Sequence, residues 1–303
     1  MMASRLQKVL EAGEFAVTAE IGPPKGADPA NIKHHARLLA PCTDALNLTD
    51  NQTAVVRLCS LAAAVHVLGE GGEPVVQMTT RDRNRIGLQS DILGAASLGV
   101  RNLLCLTGDH PVFGNHPGSK GVFDLDSIQL LDMARGMNEG RFLNGEAIKS
   151  APEFFLGATE NPYADPLEYR VLRLRKKVAA GARFIQTQVV YDLAPFRRFM
   201  AQAVETGVAE RVHILAGVTP PRSAKALKFM AGIPGFSVPE ELIRRMEGAS
   251  DQKREGLKIA TEIIREVRTI PGVRGVHIMA IMAEEMVPGI VEEAGLYPRP
   301  RIE

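Results

Sequence analysis

Tryptophan is absent from this 303-residue chain, tyrosine occurs only 4 times, and aromatic residues make up 5%. A core must therefore be packed by aliphatic side chains, which the 45% hydrophobic content can supply. Cysteine is scarce too. Cys42, Cys59 and Cys105 form no CxxC pair, and 3 thiols cannot close a disulfide framework. Cys105 sits in an apolar run and reads as a reduced core thiol. No run approaches the ~18 apolar residues of a membrane-spanning helix. The opening MMASRLQKVLEAGEF has no apolar stretch of signal-peptide type, so a cytoplasmic location without a membrane partner is expected. Neither sign of charge prevails: 36 basic and 35 acidic residues leave +1. A phosphate-coated polymer selects a strongly basic face, so no nucleic-acid partner is expected.

Several catalytic signatures are missing as well. The first apolar run leads into Gly22-Pro-Pro-Lys-Gly26, whose prolines cannot form a GxGxxG turn, and no GxxxxGK[ST] loop occurs. There is no GxSxG elbow, no cysteine in a nucleophile setting and no lysine at a strand end for a Schiff base. His110 and His116 share a loop without a third ligand in view, so no metal is expected.

What is present is an alternation. Short apolar runs occur at Phe15–Gly22, Asp44–Asp50, Pro74–Thr80, Asn102–Asp109, Phe154–Glu160, Arg183–Tyr191, Val212–Pro220 and Gly275–Ile281. Several are almost continuously hydrophobic, as buried parallel strands are. Helical stretches follow them at Asp28–Leu39, Ala54–Leu68, Asn84–Leu98, Ser127–Asn138, Pro166–Ala180, Ala194–Glu205, Ser223–Ala231 and Glu284–Ala294. Leu167, Val171, Leu174 and Val178 illustrate the helical spacing. Extra helices are expected at Pro239–Glu247 and Lys253–Val267, between the seventh and eighth strands. Strand–helix alternation repeated eight times predicts one (β/α)8 TIM barrel over residues 1–303, with an open doubly wound sheet as the competing arrangement.

Barrel enzymes carry their chemistry on the C-terminal ends of the strands. The polar residues predicted there are Glu20, Thr49, Asp50, Gln52, Gln77, Thr79, Thr107, Gly108, Asp109, Gly157, Thr159, Gln186, Gln188 and Thr219. Carboxylates, amides and hydroxyls without a metal cage suit the edges of heteroaromatic rings. A carboxylate in an apolar strand suits a general acid, because desolvation favours its neutral form.

The segments Ala19-Glu-Ile-Gly-Pro-Pro-Lys25, Leu48-Thr-Asp50, Leu106-Thr-Gly-Asp109 and Ala180-Gly-Ala-Arg-Phe-Ile-Gln-Thr-Gln188 resemble the flavin-dependent methylenetetrahydrofolate reductases. Each motif is short, but their order and spacing hold from about residue 14 to 296. The resemblance implies a non-covalent flavin, FAD or alternatively FMN, and a folate substrate. It makes Glu20 the acid that protonates the pterin N10, Asp109 a catalytic and substrate-binding carboxylate beside the flavin, and Gln188 a substrate contact. For the flavin it implies Thr49, Asp50, Gln52, Gln77, Thr107, Gly108, Asp109, Phe123, Gly157, Asn161 and Ala164. Arg173, Lys176 and Lys177 would reach phosphates and ribose. The chain departs from the family pattern where Ala226, Met230 and Ala283 replace a glutamine, a phenylalanine and an arginine. It resembles more closely the short members of anaerobic one-carbon pathways, which work with a metal-containing partner subunit. The electron donor is thus open between NAD(P)H and such a partner. A homo-oligomer is expected. The competing function is a folate-binding methyl-transfer barrel without redox chemistry.

Overall fold

In the computed structural model, which describes residues 3–302, eight strands close in chain order into an all-parallel barrel. They are β1 (Ala16–Ile21), β2 (Ala45–Leu48), β3 (Pro74–Thr79), β4 (Asn102–Leu106), β5 (Phe155–Glu160), β6 (Phe184–Val189), β7 (His213–Val218) and β8 (Val273–Ile278). The seam is closed by β1 and β8, with Thr18 opposite His277. The first half of the helical shell is α1 (Arg5–Glu11), α2 (Ala30–Leu39), α3 (Ser60–Gly69), α4 (Arg85–Ser97) and α5 (Ser127–Asn138). It continues with α6 (Arg170–Ala179), α7 (Leu193–Glu205), α8 (Ala224–Ala231), α9 (Glu240–Glu247), α10 (Gln252–Arg268) and α11 (Val287–Glu293). The expected barrel is therefore present, with α9 and α10 inserted before β8. Among the described residues, no helix is long and apolar enough to cross a membrane.

Side chains alternate across each strand. On β1, Val17, Ala19 and Ile21 are fully buried against the helices, while Ala16, Thr18 and Glu20 face the barrel interior in ascending order. A one-residue slip would exchange these sets, so burial of the outer face fixes where Glu20 points.

The sequence pattern does not anticipate α1, which plugs the lower end of the barrel. Its Leu6, Val9 and Leu10 pack on Ala16, Ala45, Val75, Leu104, Phe155, Phe184 and Leu215. Burying each of these three side chains stabilises by roughly 1.5–3 kcal/mol. Ser4 caps the helix through Gln7 N at 3.0 Å, and the Glu73 carboxylate accepts from Arg5 N (2.7 Å) and Leu6 N (3.1 Å). An anion is favoured there by the exposed N–H groups of the first turn.

The helix expected from Ala54 begins only at Ser60. Residues 52–54 form a tight turn instead, with Thr53 and Ala54 at φ of 56° and 57°. That turn projects Gln52 over the barrel mouth.

Candidate active site

Two depressions of about 350 and 380 Å³ open at the C-terminal ends of the strands. Both are bordered by Glu20, Gln77, Thr159, Arg173 and Lys177, so they are two lobes of one mouth. One lobe, on the β5–β8 side, adds Asn161, Arg170, Gln186, Gln188, His277 and Met279. The other, on the β2–β4 side, adds Thr49, Asp50, Gln52, Thr107, Gly108 and Asp109.

Glu20 stands between the lobes with its side chain 10% exposed. Gln52 Nε2 donates to Oε1 at 3.4 Å and Gln77 Nε2 to Oε2 at 3.3 Å. His277 Nε2 lies 3.8 Å from Oε2. These are long approaches, which leave the Glu20 carboxyl loosely held.

The floor of the β2–β4 lobe is braced by charge. Buried Asp50 accepts from Thr79 N and Thr79 Oγ1, both at 2.9 Å, and from Arg83 Nη1 and Nη2 at 2.7 and 3.2 Å. Its lone pairs are committed to these partners, which makes it a brace for the loop after β2. Arg81, with its side chain 2% exposed, donates to Asp82, to Asn51 O (3.2 Å) and to Asp109 O (3.3 Å). One guanidinium thus fastens the loops after β2, β3 and β4. The Asp109 carboxylate stays exposed at the rim of the lobe. Thr107 Oγ1 accepts from Ser127 N at 3.1 Å and docks the start of α5. Gly108 has φ +89°, and a Cβ there would meet Thr79 and Arg81 at 3.1–3.2 Å.

On α6 the expected cations separate. Arg173 reaches both lobes, whereas Lys176 is exposed and borders neither. Lys177 borders both, but its ammonium is buried and donates to Glu160 at 2.8 Å and to Thr159 O. Burial pushes Lys177 below its ordinary range, more than Glu160 beside it raises it. Glu160 thus already balances the charge of Lys177, to which the resemblance gives a phosphate or ribose. Gly157 borders neither lobe. A Cβ there would fall 2.2 Å from Cζ of Phe184, so the glycine makes room for a ring in the barrel floor. Asn161 bridges Tyr163 N (2.9 Å) and Gly235 O (3.0 Å), and Ala164 lies outside both lobes. Phe123, at φ +42°, also lies outside them and stacks near His110 with ring centroids 6.2 Å apart.

Residues that sequence reasoning passed over are Arg81, Arg83, Asn47 and His277. For Asn47 and His277 the visible signal was a polar residue on the inner face of an otherwise apolar strand; Arg81 and Arg83 follow β3 in a loop and carry no such signal.

Fold and mouth together define a (β/α)8 barrel whose polar groups converge on one carboxylate at the strand ends. A family model for methylenetetrahydrofolate reductase matches residues 5–295, and the chain belongs to that family. Methylenetetrahydrofolate reductase (NADH) 1 of Arabidopsis thaliana is 25% identical over 319 residues, covering 99% of this chain and 52% of that protein. A probable methylenetetrahydrofolate reductase (NADH) of Oryza sativa subsp. japonica is 28% identical over 219 residues, 68% of this chain and 35% of that protein. The chain thus spans about a third to a half of the length of these plant relatives. The 5,10-methylenetetrahydrofolate reductase of Salmonella typhimurium is 25% identical over 232 residues, 75% of this chain and 72% of that protein. A solved structure from Clostridium thermocellum, described as an uncharacterized protein that binds two copies of 5-methyl-5,6,7,8-tetrahydrofolic acid, shares the fold. Its TM-score is 0.69 at 16% identity, covering 95% of this chain and 97% of that one.

Proposed function

We propose that this chain reduces 5,10-methylenetetrahydrofolate to 5-methyltetrahydrofolate with a non-covalent flavin, FAD in preference to FMN. The observation that carries the reading is the position of Glu20 as the shared wall of two lobes. One lobe would hold the flavin and the other would admit the pterin, with a single carboxyl able to address the junction.

The β2–β4 lobe suits a flavin. Thr49 Oγ1 is buried there without a hydrogen-bond partner, a cost that a ligand group would relieve. Gly108, at φ +89°, lets the loop after β4 turn tightly against Thr79 and Arg81 where it borders the lobe. Thr49, Gln52, Gln77, Thr107 and Asp109 would hold the ring edge, while Arg173, which borders both lobes, would meet phosphates. When bound, the flavin supplies the hydride that adds to the methylene carbon.

The chain's own residues do the rest. Glu20 gives a proton from its carboxyl oxygen to the pterin N10, which opens the five-membered ring and leaves an electrophilic methylene group. The carboxylate left behind faces the amide donors of Gln52 and Gln77. Gln188, bordering the β5–β8 lobe, orients the pterin, and Asp109 pairs with its donor edge from the rim. Reducing equivalents come from NAD(P)H or from a metal-containing partner subunit.

The test is direct. Purified protein should be yellow with bound flavin, and anaerobic addition of NADH or NADPH distinguishes the two electron routes. Glu20→Gln should keep the flavin and its reduction but slow folate reduction by a factor of about 10² or more. A colourless protein that binds folate would overturn the redox reading. An unimpaired Glu20→Gln variant would overturn the acid.

A further inference from the structure

The interior of a (β/α)8 barrel is ordinarily filled by layers of branched aliphatic side chains. Here the layer directly beneath Glu20 is polar. Thr18, Asn47, Gln186 and His277 are all buried at 3% exposure or less, and they bond to one another across the barrel.

We infer that the Asn47–Gln186 amide pair, acting through Thr18, fixes the tautomer of His277 so that its Nε2–H faces Glu20. His277 is then a positioning residue for the Glu20 proton. The inference deepens the proposed function and rests on Glu20 being the acid.

The hydrogen-bond inventory of the layer leads there stepwise. Asn47 Nδ2 donates to Gln186 Oε1 at 2.6 Å, and Gln186 Nε2 returns a bond to Asn47 Oδ1 at 3.0 Å. The second N–H of Gln186 Nε2 donates to Thr18 Oγ1 at 3.1 Å. Thr18 is therefore an acceptor from Gln186 and has one proton to give. Two acceptors are in reach: His277 Nδ1 at 2.9 Å and Val276 O at 3.4 Å. The shorter contact takes it. A ring nitrogen that accepts is bare, so in neutral His277 the proton resides on Nε2, the atom 3.8 Å from Glu20 Oε2.

The consequence concerns where the Glu20 proton can go. Gln52 and Gln77 offer Glu20 amide N–H groups, and His277 offers an N–H as well. None of the three, so oriented, can accept a proton from the carboxyl. The remaining direction is out into the mouth, toward the substrate. After transfer, the same three donors face the new carboxylate and stabilise it. The opposite tautomer would present a bare nitrogen to Glu20 and divert its proton inward.

Two other arrangements of this layer satisfy every group. With the amides as they stand, Thr18 could donate to Val276 O and accept from His277 Nδ1–H on its second lone pair, at the cost of the longer contact. With both amides reversed, Gln186 Oε1 would face Thr18, Thr18 would donate to it, and His277 Nδ1–H would donate to Thr18. Both alternatives predict the opposite tautomer, which makes the proposal measurable without any activity assay.

Long-range ¹H–¹⁵N spectra of the full chain labelled with [¹⁵N]histidine report the protonated ring nitrogen, with His277 assigned by its loss in His277→Asn. The expected result is protonated Nε2 and bare Nδ1. A protonated Nδ1, or a mixture, overturns the proposal. The link to Glu20 is tested by the folate half-reaction of Thr18→Val, which removes the hydroxyl, and Thr18→Ser, which restores it. Thr18→Val should slow that step about tenfold, a fraction of the 10²–10⁴ a general acid contributes, leave flavin reduction unchanged, and be rescued by Thr18→Ser. A parental folate rate in a folded Thr18→Val protein overturns the positioning role. Should Thr18→Val fail to fold, Gln186→Leu removes the amide that biases Thr18 and must give a mixed His277 tautomer; an unmixed one overturns the proposal. If the parent protein reduces no folate yet shows the Nε2–H tautomer, the proposed function fails while the hydrogen-bond assignment stands.

Discussion

Gly157→Ala separates a packing role from a cofactor role at one position. A methyl built on Gly157 would lie 2.2–2.5 Å from Cζ, Cε1 and Cε2 of Phe184, against the 3.5–4.0 Å of an ordinary carbon contact. The ring would have to retreat by more than 1 Å, roughly, to reach that distance. It has nowhere to go: Phe184 is fully buried and stacks on Phe155 with ring centroids 5.1 Å apart, over the plug formed by Leu6, Val9 and Leu10. Overpacking of such a site costs about 3 kcal/mol, at the upper end of the usual range. With an unfolding entropy scaled to 303 residues, the melting temperature should fall by about 5 °C. Thermal unfolding followed by circular dichroism measures the shift, and flavin absorbance after purification measures cofactor retention. Phe184→Leu in the same chain should recover much of the loss, because the shorter side chain vacates the space. A Gly157→Ala protein that melts with the parent but loses flavin would refute the packing account and return Gly157 to the cofactor site.

Asp109→Asn should raise the flavin potential, since a negative charge beside the reduced ring is removed, and should slow folate turnover about tenfold; if potentiometry and rate both match the parent, Asp109 has no part in the site. Asp50→Asn should destabilise by roughly 1.5–3 kcal/mol in urea unfolding, because Arg83 loses the two charge-assisted bonds to Asp50 and keeps only Asp91, at 2.8 Å; an equally stable variant that sheds flavin would mean that Asp50 touches the cofactor directly. Asp124 accepts from Arg85 N, Nε and Nη2 at 2.8–3.0 Å, and the Arg85 side chain holds its carboxyl down at about 2. A carboxyl depressed in the folded state contributes fully above its unfolded value of about 3.9 and loses that contribution as pH falls through about 2. The clamp beside Phe123 should thus persist at pH 4; faster amide exchange at Arg85 and Phe123 already at that pH would contradict the assignment, while Asp124→Asn should show faster exchange at neutral pH.

The alternation of apolar runs and helical stretches was enough to read the barrel, because parallel strands buried on both faces leave a nearly continuous hydrophobic trace. The extra helices before β8 were legible from amphipathic spacing, as in Ile259, Ile263 and Val267 of α10. The plug was not. Leu6, Val9 and Leu10 carry helical spacing, but α1 has only 7 residues and its stability comes from the barrel floor and Glu73, which are distant in sequence. The start of α3 was misplaced because the turn at residues 52–54 is held by tertiary packing in left-handed conformations that its sequence does not announce.

For the mouth, period-two alternation alone assigns Glu20, Thr49, Gln77 and Gln188 to the inner face, once their neighbours must be buried outside. The motifs along the chain carry the family resemblance as well. The partners of these groups were set by folding. Lys177 went to Glu160 and Asp50 to Arg83, since a charge taken out of water is held by an opposite charge close by in space, whatever lies close in sequence. The same closure brought Asn47, Gln186, Thr18 and His277 from four separate strands into one buried layer under Glu20. Their bonds depend on barrel register, which no single strand encodes.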